Sequence, residues 1–389
     1  MANIELIAAT TFGLEALAAQ ELRQLGYTDL TVENGRITFP GDLKAICRTN
    51  LWLRTAERVK LKIGEFKATT FDELFDQTKE LPWADWLPEN ANFPVEGRSA
   101  RSQLFSISDC QAIVKKAVVE SMKKRYPRDW FEEDGPTYTI EVALLKDVAT
   151  LTIDTTGVGL HKRGYRTLVG QAPLSETLAA AMIILSRWYP DTALIDPFCG
   201  SGTIPIEAAL IGLNMAPGIN RDFVSETWPN ISGELWDEVR QEAREAARFD
   251  RTLQIIGTDI DPGAIRIARQ NAEAAGLSEL IHWQANAVDW LSSSRKYGKI
   301  ICNPPYGERI GERKEAAALY REMGKVFSKL DTWSYYILTS NPDFERLFGK
   351  EASRKRKLYN GSIKVDFYQY YGPRPPQSRN PQMEGQTEM

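Results

Sequence analysis

Hydrophobic and polar positions change their period twice along the chain. Over residues 1–65, short apolar runs alternate with amphipathic stretches: strand-like IELIAAT, helix-like LEALAAQELRQLG, strand-like LTVE and RITFP on either side of Asn34-Gly35, helix-like DLKAICRTN and strand-like RVKLKIGEF. Asn-Gly between alternating apolar runs predicts a hairpin. Strand, helix, strand, strand, helix, strand is the order of a small α+β ferredoxin-like unit. Over residues 66–159 the texture becomes aromatic, with Phe71, Phe75, Trp83 and Trp86 ahead of NFPVEGRSARSQLFSIS. A helix follows, with Ser108 as N-cap and Gln111 completing a capping box. Ile113, Val114, Ala117, Val118 and Met122 form its apolar stripe, and Lys115, Lys116, Lys123, Lys124 and Arg125 its other face. Two strand-like runs, YTIEVALL and VATLTID, are joined by Lys146-Asp147.

Residues 160–372 alternate helices and strands: LSETLAAAMIILSRW, TALID, a Gly-rich turn, IPIEAALIGL, LQIIGTDI, GAIRIARQNAEAAG, IHWQA, KIICN, AAALYREMGKVFSKL, SYYILTS and KVDFYQYYG. Apolar strands alternating with amphipathic helices predict a mostly parallel α/β sheet whose ligand lies at the carboxyl ends of the strands. Residues 373–389 are polar and Pro-rich and read as a disordered tail.

Charge changes this picture only locally. Forty-eight Lys and Arg against fifty-two Asp and Glu give a net −4, which excludes a chain that coats nucleic acid by charge alone. Residues 226–250 hold seven acids and three arginines and so account for the whole net charge, whereas residues 97–166 hold twelve basic and nine acidic residues. Glu5 and Glu15 interrupt the N-terminal apolar positions, and no run approaches the roughly 18 apolar residues of a membrane span, so the expected location is the cytoplasm. Cys47, Cys110, Cys199 and Cys302 form no CxxC pair and only His161 and His282 supply imidazoles, so no metal centre is expected.

Four strand ends carry chemistry. Asp196-Pro-Phe-Cys-Gly-Ser-Gly-Thr203 follows an apolar strand and opens a helix, so Gly200 and Gly202 let backbone approach a ligand near a helix N-terminus. No Lys follows Gly202 as a P-loop requires, and Pro205 stands where a dinucleotide fingerprint needs its third glycine. That leaves a nucleoside ligand without a pyrophosphate. In Gly257-Thr258-Asp259-Ile260-Asp261, Asp259 suits two ribose hydroxyls and Asp261 the N-cap of a helix at Pro262. At Gln284-Ala-Asn286-Ala287, the Asn286 amide oxygen and the Ala287 N–H suit an adenine edge. In Asn303-Pro304-Pro305-Tyr306, the prolines fix the chain so that the Asn303 side-chain oxygen and the Pro304 carbonyl converge on one amino group, while Tyr306 offers a stacking face. Such a turn positions a weakly nucleophilic exocyclic nitrogen for attack on an electrophilic carbon.

DPFCGSGT, TDID, QANA and NPPYGERIG together resemble the class I S-adenosylmethionine-dependent methyltransferases that act on exocyclic amino groups. GVGLHKRGYRTLVGQAPLSETLAA is similar to the segment leading into the catalytic domain of the THUMP-containing, RlmL-like RNA guanine-N2 methyltransferases. The resemblance implies a Rossmann-like class I domain with a mostly parallel seven-stranded sheet, preceded by ferredoxin-like and THUMP units. It implies S-adenosylmethionine as cofactor, S-adenosylhomocysteine as product, and structured RNA as partner.

By the same resemblance, Asp196, Phe198, Cys199, Gly200, Ser201, Gly202 and Thr203 surround the methionine part of the cofactor. Asp259 meets the ribose, with Ile260 beside it also on the cofactor, Asn286 and Ala287 meet the adenine, and Pro173 and Leu174 close over it. Asn303 to Tyr306 take the target base, with Asn303 beside the cofactor as well. Arg98, Arg101, Lys115, Lys116, Lys123, Lys124, Lys162, Arg163 and Arg166 are the RNA contacts expected, with a moderate salt dependence. The implied reaction is methylation of a guanosine N2 in 23S ribosomal RNA. A tRNA substrate, DNA adenine-N6 methylation and a non-catalytic RNA-binding assembly factor are the alternatives, and oligomeric state is left open. Two departures stand out. Asn286 replaces the family's usual acid, and Asp196 and Asp259 lie far apart because of an inserted segment at about 214–250, whose WDEVRQEAREAARFD reads as an exposed helix.

Overall fold

The computed structural model describes residues 4–166, 174–307 and 312–376. Two seven-stranded sheets organise it. The first contains β1 (Ile4–Thr10), β2 (Thr31–Glu33), β3 (Arg36–Gly41), β4 (Ala56–Lys67), β5 (Val95–Ala100), β6 (Ile140–Leu145) and β7 (Val148–Asp154), in the order β2-β3-β1-β4-β7-β6-β5. All its neighbours are antiparallel except β5 and β6. Asn34-Gly35 makes the expected hairpin, with Glu33 opposite Arg36 and Gly35 at φ +77°. Lys146 and Asp147, both left-handed, turn β6 into β7.

Strand β4 joins the two N-terminal units. Its residues 56–62 pair with β1, and its residues 60–67 pair with β7, so a boundary expected at residue 65 falls inside a continuous strand. Helices α1 (Glu15–Gln24), α2 (Leu43–Trp52), α3 (Phe71–Lys79) and α4 (Ile107–Lys123) pack on this sheet. The expected capping box at Ser108 does not form. Helix α4 starts earlier, with Ser106 in extended conformation as N-cap, and the Gln111 amide donates instead to the Val95 carbonyl at 2.9 Å, tying the helix to β5.

The second sheet contains β8 (Leu194–Asp196), β9 (Ile255–Asp259), β10 (Ile281–Ala285), β11 (Lys299–Cys302), β12 (Ser334–Thr339), β13 (Arg354–Asn360) and β14 (Ile363–Tyr370). Its order is β10-β9-β8-β11-β12-β14-β13, parallel through β12 and antiparallel thereafter. Helices α5 (Glu176–Ser186), α6 (Thr203–Gly212) and α8 (Pro262–Ala274) cover one face, where Leu14 and Leu17 also pack. Helices α9 (Glu312–Phe327) and α10 (Phe344–Phe348) cover the other. Strand order reverses beside β8, which has β9 on one side and β11 on the other, and such a switch point opens a crevice at the carboxyl ends.

The inserted segment is not a freely exposed helix. Helix α7 (Gly233–Ala246) buries Trp236, Val239 and Ala243, and its acids meet α2: Lys44 Nζ lies 2.8 Å from Glu238 and 2.7 Å from Glu242. Ahead of it, Trp228 stacks on Tyr138 at 4.4 Å and donates its indole N–H to the Thr137 carbonyl at 2.9 Å. A loop of the catalytic unit thereby completes the apolar core of the N-terminal half.

Candidate active site

Asp196 ends β8 and is 1% exposed; burial pushes its carboxyl well above the usual carboxylate range. Its Oδ1 accepts the Phe198 N–H at 3.1 Å, starting a turn that continues with Cys199 N–H to the Thr258 carbonyl at 2.9 Å. Gly202 occupies φ +85° as N-cap of α6, and a side-chain carbon there would lie 2.7 Å from Trp283. Gly200, at φ +51°, faces open space, as a loop that receives a ligand must. The Ser201 carbonyl is held by the Asn271 amide at 2.9 Å.

Asp259 ends β9 beside this loop. Its Oδ2 accepts the Gly200 N–H at 2.9 Å and its Oδ1 the Asp261 N–H at 3.0 Å. Asp261 caps α8 through Gly263 N–H, with Pro262 first in the helix, as its sequence predicts. Ile260 stands 74% exposed, an apolar side chain next to a half-buried carboxylate. At the end of β10 the Asn286 N–H donates to the Asp259 carbonyl at 2.9 Å, while its exposed amide meets Gln284 at 3.1 Å. Ala287 follows, half-buried.

Beyond β11, Pro304 is buried and Pro305 exposed, and the Tyr306 hydroxyl donates to the Asn303 side-chain oxygen at 2.6 Å. Tyr320 on α9 donates to the Pro305 carbonyl at 2.8 Å and pairs with Thr339 at 2.9 Å, so the turn is braced from the helix behind it. Cys199 and Cys302 are buried thiols whose pKa burial raises, which leaves them unreactive. Leu174 is buried; Pro173 lies outside the described residues. Among the described residues, no group of three or more His, Cys, Asp or Glu is placed to hold a metal ion.

The nine expected RNA contacts divide. Arg98, Arg101, Lys116, Lys124 and Lys162 are exposed. Lys115 is turned to Glu133 at 2.6 Å and over the Phe93 ring at 3.6 Å, Lys123 to Glu120 at 3.0 Å, and Lys124 to Glu80 at 2.9 Å. Arg163 and Arg166 are corrections. Arg163 is 3% exposed and spends its guanidinium on Glu207 and on the Leu160 and Arg54 carbonyls. Arg166 donates to the Leu174 carbonyl at 2.8 Å and to the Thr203 hydroxyl, and faces Glu176 at 3.5 Å. It straps the segment leading into the domain to the first turn of α6. Sequence reasoning missed this role, together with Tyr320 and Asn271, because each reaches a partner on another element, Thr203, Pro305 and Ser201 respectively.

A switch-point crevice lined by a glycine turn, an acidic strand end and an Asn-Pro-Pro-Tyr turn defines an S-adenosylmethionine-type methyltransferase fold. Sequence comparison agrees: residues 163–369 match the RMKL-like methyltransferase domain, residues 5–60 the RlmL ferredoxin-like domain and residues 68–154 the THUMP domain. The chain belongs to this RlmL-like family of THUMP-containing methyltransferases. It is 52% identical over 381 residues to YpsC of Bacillus subtilis (strain 168), a candidate RNA methyltransferase, covering 97% of this chain and 99% of that one. A crystal structure from Listeria monocytogenes, described as a predicted N6-adenine-specific DNA methylase, superposes with a TM-score of 0.93 at 53% identity, covering 96% of this chain and 97% of the other. That of SMU.472, a methyltransferase candidate complexed with S-adenosylhomocysteine, gives 0.92 at 46% identity, covering 97% and 100%.

Proposed function

We propose that this chain transfers the methyl group of S-adenosylmethionine to N2 of a guanosine in structured RNA, with 23S ribosomal RNA as substrate and the cytoplasm as its place of action. The observation that supports it is the Asn303–Tyr306 turn at the carboxyl end of β11, beside the Asp196 and Asp259 strand ends, in a chain that also carries a THUMP domain.

The crevice fits such a cofactor. Phe198 to Thr203 offer a backbone cradle around its methionine part, with Asp196 and Cys199 behind; Asp259 keeps lone pairs for ribose hydroxyls; Ile260, Asn286 and Ala287 offer an apolar face and a polar edge to adenine. When bound, it supplies a methyl group on a cationic sulfur. The Asn303 side-chain oxygen and the Pro304 carbonyl would accept the two N–H bonds of the target amine, localising its lone pair toward that methyl carbon; the methyl–sulfur bond would break to leave a neutral thioether, and the amine would give up one of its protons to solvent. Tyr306 stacks on the base. The base must leave its helix first, at a few kcal/mol unless it is already unpaired. Exposed Arg98, Arg101, Lys116 and Lys162 contribute phosphate contacts.

Modified-nucleoside mass spectrometry of 23S ribosomal RNA and tRNA from a deletion strain tests the reading. Loss of N2-methylguanosine from one ribosomal position, restored by the purified chain with S-adenosylmethionine, is the expected result. Loss from tRNA alone would move the substrate. Methylation of duplex DNA, or no change in either RNA, would overturn the reading.

A further inference from the structure

The longest unbroken basic run in the chain, Arg354-Lys355-Arg356-Lys357, lies on β13 at the edge of the catalytic sheet. Alternation along the strand sends its residues to two faces. One face is closed: Leu358 is buried with Val365 and Phe367, and Arg356 donates to the Gly13 carbonyl at 2.9 Å. The other carries Lys355, Lys357 and Tyr359, with Lys364 of β14 directly opposite Tyr359. Here Tyr359 meets Phe12 edge to face at 6.0 Å, and Phe12 is 51% exposed. Asp366, the one acid of the hairpin, is already engaged by Lys355 at 3.5 Å. Lys357 and Lys364 are exposed and hold no ion pair among the described residues.

Topology places this patch beside the chemistry. Strand β14 runs antiparallel to β12 and β13 antiparallel to β14, so Tyr359 and Asn360 sit at the same end of the sheet as Asp196, Asp259 and Asn303. Asn360 Oδ1 accepts the Ser175 N–H at 3.4 Å. From β11 to β13 is three strand spacings, about 14 Å, within reach of the nucleotides that flank a captured base.

We propose that Phe12 and Tyr359, with Lys357 and Lys364, form a platform for the unpaired RNA strand flanking the target nucleotide. The proposal rests on the RNA reading above. The exposed Phe12 ring and the half-buried Tyr359 ring edge-on to it can stack on any base, adjacent ammonium groups neutralise the phosphates between them, and the platform continues the line of the target site along one sheet end. Charges on an edge strand also discourage strand-to-strand aggregation, a role that any charge there performs and that needs neither ring.

Fluorescence anisotropy of the full chain with a labelled hairpin oligoribonucleotide, carrying a guanosine in its unpaired loop, tests the platform in saturating S-adenosylhomocysteine. Phe12→Ala and Tyr359→Ala are each expected to weaken binding about ten-fold, and Tyr359→Phe to keep it. Lys357→Ala with Lys364→Ala should reduce the slope of log affinity against log salt by about 1.4. S-adenosylhomocysteine affinity stays within two-fold throughout. Should a ring substitution unfold the chain, the exposed lysine pair carries the test. The platform is overturned if the parent methylates RNA yet the ring and lysine variants bind the probe within two-fold of it with an unchanged slope. It is overturned equally if Lys357→Glu, which keeps a charge on the edge strand, binds the probe as tightly as the parent. A parent that neither binds nor methylates any RNA overturns the functional reading, and the platform with it.

Discussion

Asp259 and Gly200, 59 residues apart, are joined by a 2.9 Å hydrogen bond from the glycine N–H to the aspartate Oδ2. The acid at the end of β9 therefore shapes the turn after β8 before any ligand arrives, while Oδ1 fixes the start of α8 through Asp261. Asp259→Ala removes two charge-assisted hydrogen bonds together with the proposed ribose acceptor. Two ribose hydroxyls donating to the carboxylate would contribute about 1.5–3 kcal/mol each, so S-adenosylhomocysteine affinity should fall at least 100-fold by calorimetry. Asp259→Asn, which keeps two acceptor lone pairs on its oxygen, should lie between. Equal affinities in all three chains would remove Asp259 from the binding site.

Asp196 provides a pH-dependent test. Its folded-state pKa is raised, so the folded chain holds this proton more tightly than the unfolded chain does. The group's contribution is favourable at acid pH and is lost as pH rises from the unfolded carboxyl value through the raised folded one. Asp196→Asn keeps the acceptor for Phe198 N–H without the ionisation. Urea unfolding should find variant and parent similar near pH 4, and the variant the more stable at pH 8. S-adenosylhomocysteine affinity should fall in the variant, because the acid proposed to stand behind the methionine part has gone. A constant stability difference across pH would disprove the linkage.

Asn303→Ala separates capture from chemistry. It deletes the oxygen that Tyr306 now holds at 2.6 Å and that the target amine is proposed to use. Turnover on RNA should drop by about 100- to 1,000-fold, the scale of losing one aimed polar group at a reacting centre. Cofactor affinity should change by less than about three-fold on the same scale of reasoning, since the cradle lies on β8 and β9. Unchanged turnover would sink the mechanism.

Those strand ends were legible in the sequence because each is local: a turn, a cap or a paired proline declares itself within eight residues. Asp261 capping α8 and Asn34-Gly35 turning β2 into β3 are of that kind. Arg163 illustrates the opposite case. Beside Lys162 in a basic stretch it resembles a nucleic-acid contact, yet Glu207, 44 residues on, supplies the buried countercharge that draws it inside. The same blindness to partners affected the insert. Its acids suggested solvent, and only the placement of Lys44 on α2 shows what they face. Ser108 failed by two residues of register, since the helix begins after Ser106, whose extended backbone makes it the N-cap without a side-chain hydrogen bond.

Trp228 tests whether the insert sets the geometry between the N-terminal half and the catalytic crevice. It is 1% exposed, stacked on Tyr138 at 4.4 Å, with its indole N–H on the Thr137 carbonyl at 2.9 Å. Trp228→Ala should cost about 3–5 kcal/mol of stability. If the insert holds the RNA-binding half in position, the variant's KM for RNA should rise more than its kcat falls at a temperature where it stays folded. S-adenosylhomocysteine affinity should hold. Parallel losses in all three quantities would mean that Trp228 supports only the fold.

Gly257 shows how closely the acidic strand end is fitted to its surroundings. A Cβ there would lie 2.4 Å and 2.6 Å from ring carbons of Trp283 on β10 and 3.3 Å from the Cys199 sulfur, so nothing larger than hydrogen fits without movement. The indole that blocks Gly257 also lies 2.7 Å from a Cβ built at Gly202, so one ring backs both the strand and the glycine loop. Gly257→Ala must push the ring toward the loop or shift β9, at about 1–3 kcal/mol of overpacking. Asp259 lies two residues further along β9, so cofactor affinity should fall together with stability. Trp283→Leu frees the volume and should restore much of both when combined with Gly257→Ala, giving a favourable coupling of at least about 1 kcal/mol in a double-mutant cycle. Strict additivity of the two substitutions in thermal unfolding and S-adenosylhomocysteine titration would show that the ring does not transmit the strain.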